Sequence, residues 1–281
     1  MIMSRSWATG APVHSTLLTV LSRSYAGRLT STRIPFLGTE IYAFQDRKTI
    51  QNIWKQPTLA SPISIYVYTM KYFFGMPEKA LATYRADNSG PLPKPYPGSN
   101  VPPEDRVDHI THHGFLRAWA GPCLNSTTRR FMESLLAREA QASLPHEWTE
   151  MPDLGAFFKD LPGTALVQCI YGPTLLEVSP NFMDGLWKFD INVPWFARGM
   201  PSFLLPEPYR LRERSVEHLK KWYRYAREHF DESLVDEDKD GDPLWGSNLM
   251  RYRQEKLLQV RDHDDDALAR LDLGLAWGSV F

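Results

Sequence analysis

The sequence predicts a mainly α-helical protein with a small β element at its front. Three observations carry that expectation. Beyond residue 100 the apolar residues recur at helical spacing, most clearly in Arg212–Leu234, where Val216, Leu219, Trp222, Tyr223, Ala226 and Phe230 form one stripe. Strand-like text is confined to Thr32–Phe44, where Ile34, Phe36, Ile41, Tyr42 and Phe44 flank a Gly38-Thr39 break. The last twenty residues, Asp262–Phe281, read as a helix that begins well and carries no stop signal.

The elements follow in order. Thr32–Phe44 is expected to form two short strands and a turn. Asp46 is a natural N-cap for a helix through Ile50, Ile53 and Trp54, ended by Pro57. Ser61–Phe74 is a second, aromatic-rich helix. From Gly90 to Pro103 prolines are too dense for any regular element, so a long surface loop is expected, either a lid or binding loop or a plain linker. Further helices are expected over Pro103–Trp119, Ser126–Ala142, Pro152–Ile170 with an interruption at Pro162-Gly163, Asn181–Ile191, Arg212–Leu234 and Leu249–Val260. In the terminal helix the acidic run at Asp262, Asp264, Asp265 and Asp266 supplies a cap and complements the helix dipole. Leu268, Leu271, Leu275, Ala276, Trp277, Val280 and Phe281 then make it apolar nearly all round. Gly274 and Gly278 sit inside it, each at a cost of about 1 kcal/mol relative to Ala unless something approaches the backbone closely. With no cap, basic last turn or Pro at its end, the chain is expected to be cut within this helix.

Composition narrows the function classes. With 281 residues and 43% hydrophobic content the chain is globular and able to bury a core. Its 32 basic and 33 acidic side chains give no overall field to attract nucleic acid, and no basic stripe is interleaved with aromatics, so no nucleic-acid partner is expected. Cys123 and Cys169 read as two buried, reduced thiols rather than a disulfide framework or zinc site. No apolar run approaches the ~20 residues of a spanning helix, so no transmembrane anchor is expected. Residues 1–31 are assigned no fold of their own and read as a leader or remnant.

Three clusters invite a chemical reading, and each has a plainer one. His109, His112 and His113 share a helix face, but no Glu or distant third ligand accompanies them, so a polar helix face is preferred to a metal site. Asp236–Asp242 copies the first half of a calcium loop, yet Pro243 and Ser247 stand where the loop needs an aliphatic residue and a bidentate Glu. A solvated acidic turn is expected instead. The carboxylates of Asp262–Asp266 are explained by their place at a helix start. No catalytic residue and no metal ligand is assigned.

The order of the pieces adds a resemblance. The text "IPFLGTEIYAF" leads into "DRKTIQNIWKQ", then a Pro-rich loop into "HITHHGFLRAWAGPCLNSTTRRF", then "SPNFMDGLWKFDINVPWFARGMPSFLLPEPYRLRERSVEHLKKWYRYAREHF" and finally "DDDALARLDLGLAWGSVF". Over residues 32–281 this resembles the N-terminal half of a cytochrome P450, a heme-thiolate monooxygenase, most like fungal members related to the sterol 7α-hydroxylase and prostacyclin synthase branch. Layout and two segments, Trp195–Pro201 and the closing "LGLAW", carry it.

The resemblance implies a fold truncated in the central helix that lies over the heme, with 32–281 as an incomplete domain. It places the oxygen-activating Asn or Thr, the E-x-x-R pair and the F-x-x-G-x-x-x-C thiolate loop after Phe281. Neither Cys123 nor Cys169 sits in such a loop. Heme is the family's cofactor, but this chain is expected not to hold it stably and to be inactive alone. His112, His113 and Arg117 would contact a heme propionate. Tyr66, Phe73, Trp187, Trp195, Phe196 and Trp277 would line a pocket for a lipophilic steroid- or terpenoid-like substrate of secondary metabolism. A reductase partner and the endoplasmic reticulum membrane are implied by the family as well. The alternative is a helical protein that binds a lipophilic ligand or a protein partner without catalysis.

Overall fold

Each element can be traced to a local signal. The computed structural model describes residues 31–36, 39–44, 46–56, 63–142, 147, 150–151 and 153–280. Residues 1–30 of the expected 1–31 leader, Pro57 and Phe281 lie outside the described residues, whereas Ser31 begins the first strand. The chain divides into two compact units, Met1–Ala60 and Ser61–Phe281.

In the first unit β1 (Ser31–Phe36) pairs antiparallel with β2 (Thr39–Phe44), Ser31 opposite Phe44 and Phe36 opposite Thr39. Helix α1 (Arg47–Trp54) follows, capped as the sequence predicts. The Asp46 carboxylate accepts from the Lys48 N–H at 2.9 Å and the Thr49 N–H at 3.1 Å, satisfying two of the helix's orphan donors.

The second unit is almost wholly helical. Helix α2 (Ile63–Tyr72) leads to α3 (Glu78–Ala86), which the sequence reading misses. Its signals are present but short: Pro77 at the N-cap position, Glu78 in the first turn, and Ala80, Leu81 and Tyr84 on one buried face. The helix expected over Pro103–Trp119 is two elements, a 3-10 turn at Pro103–Asp105 and α4 (Val107–Trp119) after a break at Arg106. Helix α5 (Pro122–Ala142) starts four residues before the expected Ser126.

Pro162 does not break the next segment. Helix α6 (Leu154–Phe158) runs through a π turn, Lys159–Gly163, into α7 (Thr164–Tyr171). A wider turn accommodates the proline ring and frees carbonyls. Thr164 Oγ1 donates to the Lys159 carbonyl at 3.2 Å and Arg138 Nε to the Asp160 carbonyl at 2.9 Å.

Helix α8 (Pro173–Val178), also missed by the sequence reading, precedes α9 (Phe182–Ala197), which passes Pro194 and extends beyond the expected Ile191. The long α10 (Pro206–His229) buries the predicted stripe, with Val216, Leu219, Trp222, Tyr223 and Ala226 all at 1% exposure or less. A two-residue ladder, β3 (Gly241–Asp242) with β4 (Gly246–Ser247), leads into α11 (Asn248–Leu257) and α12 (Asp265–Val280). At Gly246, φ is +77° and a Cβ would lie 2.1 Å from the Gly172 nitrogen, so the backbones of the ladder and of the α7–α8 corner touch. The observed class is therefore mainly α with a small β element, as expected.

Helix α12 is the centre of the second unit. It packs on α2, α7, α9 and α10, and Ala267, Leu268, Ala269, Leu271, Leu273 and Ala276 are buried. Its N-cap within the acidic run is Asp264, which accepts from the Ala267 N–H at 2.9 Å. Arg270 ties it in place, donating to Glu213 at 2.6 Å, Asp266 at 2.8 Å and the Phe74 carbonyl at 2.9 Å. Gly274 has the close neighbour its cost demands, since a Cβ there would come within 3.1 Å of the buried Phe74 ring. Gly278 has none within 4 Å.

Candidate functional site

Six helices of the second unit, α2, α3, α4, α7, α11 and α12, line an open pocket of about 430 Å³. Its walls are largely apolar. Helix α4 contributes Phe115 and Trp119, α7 Leu166 and Ile170, and α12 Leu271 and Leu275. Thr111, Phe115 and Trp119 are spaced four residues apart, so one face of α4 supplies them all. The Phe115 and Trp119 rings stack, 4.9 Å apart and 7° from parallel.

Polar groups gather where α2, α3 and α11 meet. Tyr66, Tyr84 and Arg253 line the pocket there. Arg253, 5% exposed, is held by a fully buried carboxylate: its Nε donates to Asp272 Oδ1 at 2.6 Å. Asp272 Oδ2 accepts from the Tyr223 hydroxyl, and its main-chain carbonyl accepts from the Tyr171 hydroxyl at 2.7 Å. Burial opposes Arg253's charge, yet Asp272 and the two tyrosines hold its pKa above the ordinary value. Burial, reinforced by Asp272, pushes the Tyr171 and Tyr223 phenols well up, so both remain protonated donors. Tyr84 is the exception. Its hydroxyl is buried without a hydrogen-bond partner, and burial holds its pKa above that of an ordinary phenol. Sequence periodicity gives no hint of Tyr84 or Arg253, because neither lies in a motif.

The residues the sequence reading singles out are dispersed. Tyr66 alone of the expected pocket residues lines this cavity. Phe73 and Trp277 belong to an aromatic cluster, each 6.2 Å from Phe74, and Trp277 Nε1 donates to Asp190 at 2.9 Å. Phe196 is buried against Phe189 at 5.5 Å, with the Arg212 guanidinium 5.3 Å from its ring. Trp187 lies under Lys159 at 5.4 Å, and Trp195, 40% exposed, beside Arg198 at 5.2 Å.

The α4 histidines face away from the pocket. His109 Nδ1 meets the Pro91 carbonyl at 3.0 Å and His113 Nδ1 the Tyr252 hydroxyl at 3.2 Å, while His112 is exposed. Arg117 lies 5.4 Å from the Tyr252 ring. Burial, with His109 and Arg117 as charged neighbours, lowers the pKa of His113 and favours its neutral form.

The Pro-rich segment is neither a linker nor a free lid. Arg106 Nε donates to Ser89 Oγ at 3.1 Å and its NH1 to the Pro93 carbonyl at 2.8 Å, which with His109 pins the loop to the start of α4. The acidic turn meets expectation only in its first half, where Asp236–Lys239 are exposed; its second half is buried. Asp240 and Asp242 are 2% and 5% exposed, and their charges are met by Arg130 at 2.5 Å and by Arg251. Arg129 takes Asp238 at 2.6 Å. Among the described residues no group of three or more His, Cys, Asp or Glu is arranged to hold a metal ion. The buried Cys169 thiol donates to the Thr127 carbonyl at 3.1 Å, and burial raises its pKa.

Heme is the cofactor the resemblance implies, and the described residues around the pocket do not fit it. No Cys or His lines the cavity, so it offers no iron ligand, and Arg253, the one cation lining it, has its Nε engaged by Asp272. The bare E-x-x-R spacing occurs at Glu207–Arg210, an exposed pair 3.7 Å apart in the first turn of α10. Among the described residues no helix is long and apolar enough to cross a membrane.

No protein-family profile matches the chain. Among curated proteins it is similar to cytochrome P450 monooxygenases of fungi. Over 183 residues it is 32% identical to cytochrome P450 monooxygenase fsoE of Humicola fuscoatra, covering 63% of this chain and 32% of that protein. It is 21% identical over 258 residues to efuG of Hormonema carpetanum, 91% of this chain and 43% of the relative. With calL of Penicillium decumbens it shares 24% identity over 252 residues, 89% of this chain and 46% of the relative. The chain thus spans between a third and a half of the length of the relatives it resembles, all of them cytochrome P450 monooxygenases.

Proposed function

We propose that this chain forms the amino-terminal portion of a cytochrome P450 monooxygenase, whose complete form oxidises a lipophilic metabolite at a heme iron with electrons from a reductase. The observation that carries it is similarity to three such proteins, two of them over about nine-tenths of this chain. The helical architecture with a hairpin before the first helix supports the same reading. Placement near the sterol 7α-hydroxylase branch rests on Trp195–Pro201 and the closing "LGLAW" text, and a steroid- or terpenoid-like substrate rests on that placement.

In this reading the described residues supply helical scaffold and an apolar pocket wall, and no iron ligand. Heme would supply oxygen activation in the complete protein. Residues 1–281 by themselves hold no productive heme and catalyse no oxidation. The test is to mix the purified 281-residue chain with ferrous heme and carbon monoxide and record the spectrum. The expected result is the spectrum of unbound heme. A stable thiolate-type Soret band would overturn the proposed inactivity.

A further inference from the structure

Two of the α4 histidines are arranged as a pair. His109 and His113 lie one helical turn apart, with ring centroids 5.7 Å apart and planes 30° from parallel. Two imidazoles that share a metal ion, each through a nitrogen about 2.0–2.1 Å from it, hold their centroids roughly 4.5–6.5 Å apart. The observed spacing falls in that range. One nitrogen of each ring is already committed. His109 Nδ1 sits 3.0 Å from the Pro91 carbonyl, which can only accept, so Nδ1 carries the hydrogen and Nε2 a bare lone pair. The Tyr252 hydroxyl donates to the Ile110 carbonyl at 3.4 Å, which leaves its oxygen to accept from His113 Nδ1 at 3.2 Å. His113 Nε2 is therefore bare as well. Neither Nε2 has a hydrogen-bond partner, and both remain open to solvent.

We propose that His109 and His113 bind one divalent transition-metal ion of the kind imidazole favours, nickel, copper or zinc, through their Nε2 atoms. Metal-binding histidines are held in this way, one ring nitrogen donating to a carbonyl or other oxygen while the second faces the ion. Pro91 of the Pro-rich loop orients one ring and Tyr252 of α11 the other. Imidazole nitrogens select these late ions over calcium and magnesium, which prefer oxygen. The site has two protein ligands, and water fills the remaining positions. His112 is exposed and lies about 100° round the helix from His113, so it is left out. Arg117, one turn beyond His113 and 5.4 Å from the Tyr252 ring, works against a cation and keeps the affinity modest. Binding needs no heme and goes beyond the proposed monooxygenase assignment. It survives if that assignment fails.

The probe is the nickel ion, titrated calorimetrically into the 281-residue chain purified without a histidine tag. One ion is expected to bind per chain, and saturating nickel should raise the melting temperature. His109→Asn keeps an N–H for the Pro91 carbonyl but has no ring nitrogen to offer, and His113→Asn likewise removes its Nε2. Each should weaken binding by at least about tenfold and abolish the melting shift. Tyr252→Phe keeps the ring beside Arg117 and removes only the oxygen that orients His113, and should cost about 10–100-fold in affinity. A residue that merely supports the helix would not show that dependence on one oxygen. His112→Ala should bind as the parent does. His109 and His113 are both only part-buried, and either variant decides the matter if the other fails to fold. No saturable site in the parent, parental affinity in His109→Asn, His113→Asn or Tyr252→Phe, or loss of binding in His112→Ala would each overturn the proposal.

Discussion

Replacing Asp272 by alanine strikes the polar centre of the helical unit. In the folded protein this carboxylate is fully buried and satisfies Arg253 at 2.6 Å and the Tyr223 hydroxyl together. Its removal strands a guanidinium that is 5% exposed and leaves a fully buried phenol without a partner. Breaking a buried ion pair from one side costs about 3–5 kcal/mol, and an orphaned hydroxyl about 1–3 kcal/mol. The two costs share a network and do not simply add, so a loss of about 4–6 kcal/mol is expected. Because the cost is the stranded charge rather than a lost attraction, Arg253→Met combined with Asp272→Ala should recover most of it. Only the Tyr223 penalty of about 1–3 kcal/mol should remain. Urea unfolding followed by circular dichroism measures all three variants as shifts in midpoint. A double variant as unstable as Asp272→Ala alone would refute the reasoning, since no charge would then be left to strand.

The two glycines of α12 should respond oppositely to alanine. Gly278→Ala should raise stability by up to about 1 kcal/mol, whereas Gly274→Ala should lower it or leave it unchanged because the new methyl sits 3.1 Å from Phe74; thermal melts of both report the sign. Millimolar calcium should leave the melting temperature unmoved, because Arg129, Arg130 and Arg251 already hold the carboxylates of the calcium-loop look-alike. Asp242→Ala should cost about 3–5 kcal/mol in urea unfolding, since the buried carboxylate meets a part-buried Arg251 and accepts from the Leu244 and Trp245 N–H groups. Burial lowers the pKa of His263, outweighing the carboxylates of Asp264 and Asp105, so the unfolded chain binds its proton more readily than the folded one. Its contribution to stability is therefore fully present above about pH 6.5 and lost as pH falls through the folded value. His263→Gln should flatten the decline of the urea midpoint below that pH, and an unchanged slope would refute the assignment.

Local signals proved reliable where one residue acts on its own backbone. The Asp46 cap, the stripe of α10 and the start of α12 need only a carboxylate near free N–H groups, or apolar residues on a 3.6-residue period. Short elements were harder. Helix α3 offers only two turns of pattern between Pro77 and Asp87, too few for periodicity to stand out from noise. Pro162 looked like a break because sequence reading assumes an α-turn around it, while the observed π turn gives the ring room.

The sequence by itself indicated the helical class, the front hairpin, the starts of α1, α2, α6, α9, α11 and α12 to within three residues, and the apolar character of α12. Those features depend on contacts within a few residues. Tertiary structure alone decided which charges are neutralised and where the pocket lies. Arg130 meets Asp240, Arg253 meets Asp272, and Arg106 and His109 pin the Pro-rich loop, across separations no short-range pattern encodes. The pocket likewise arises where six helices fail to fill the space between them, and the unpartnered Tyr84 hydroxyl and neighbouring His263 Nε2 show only in three dimensions.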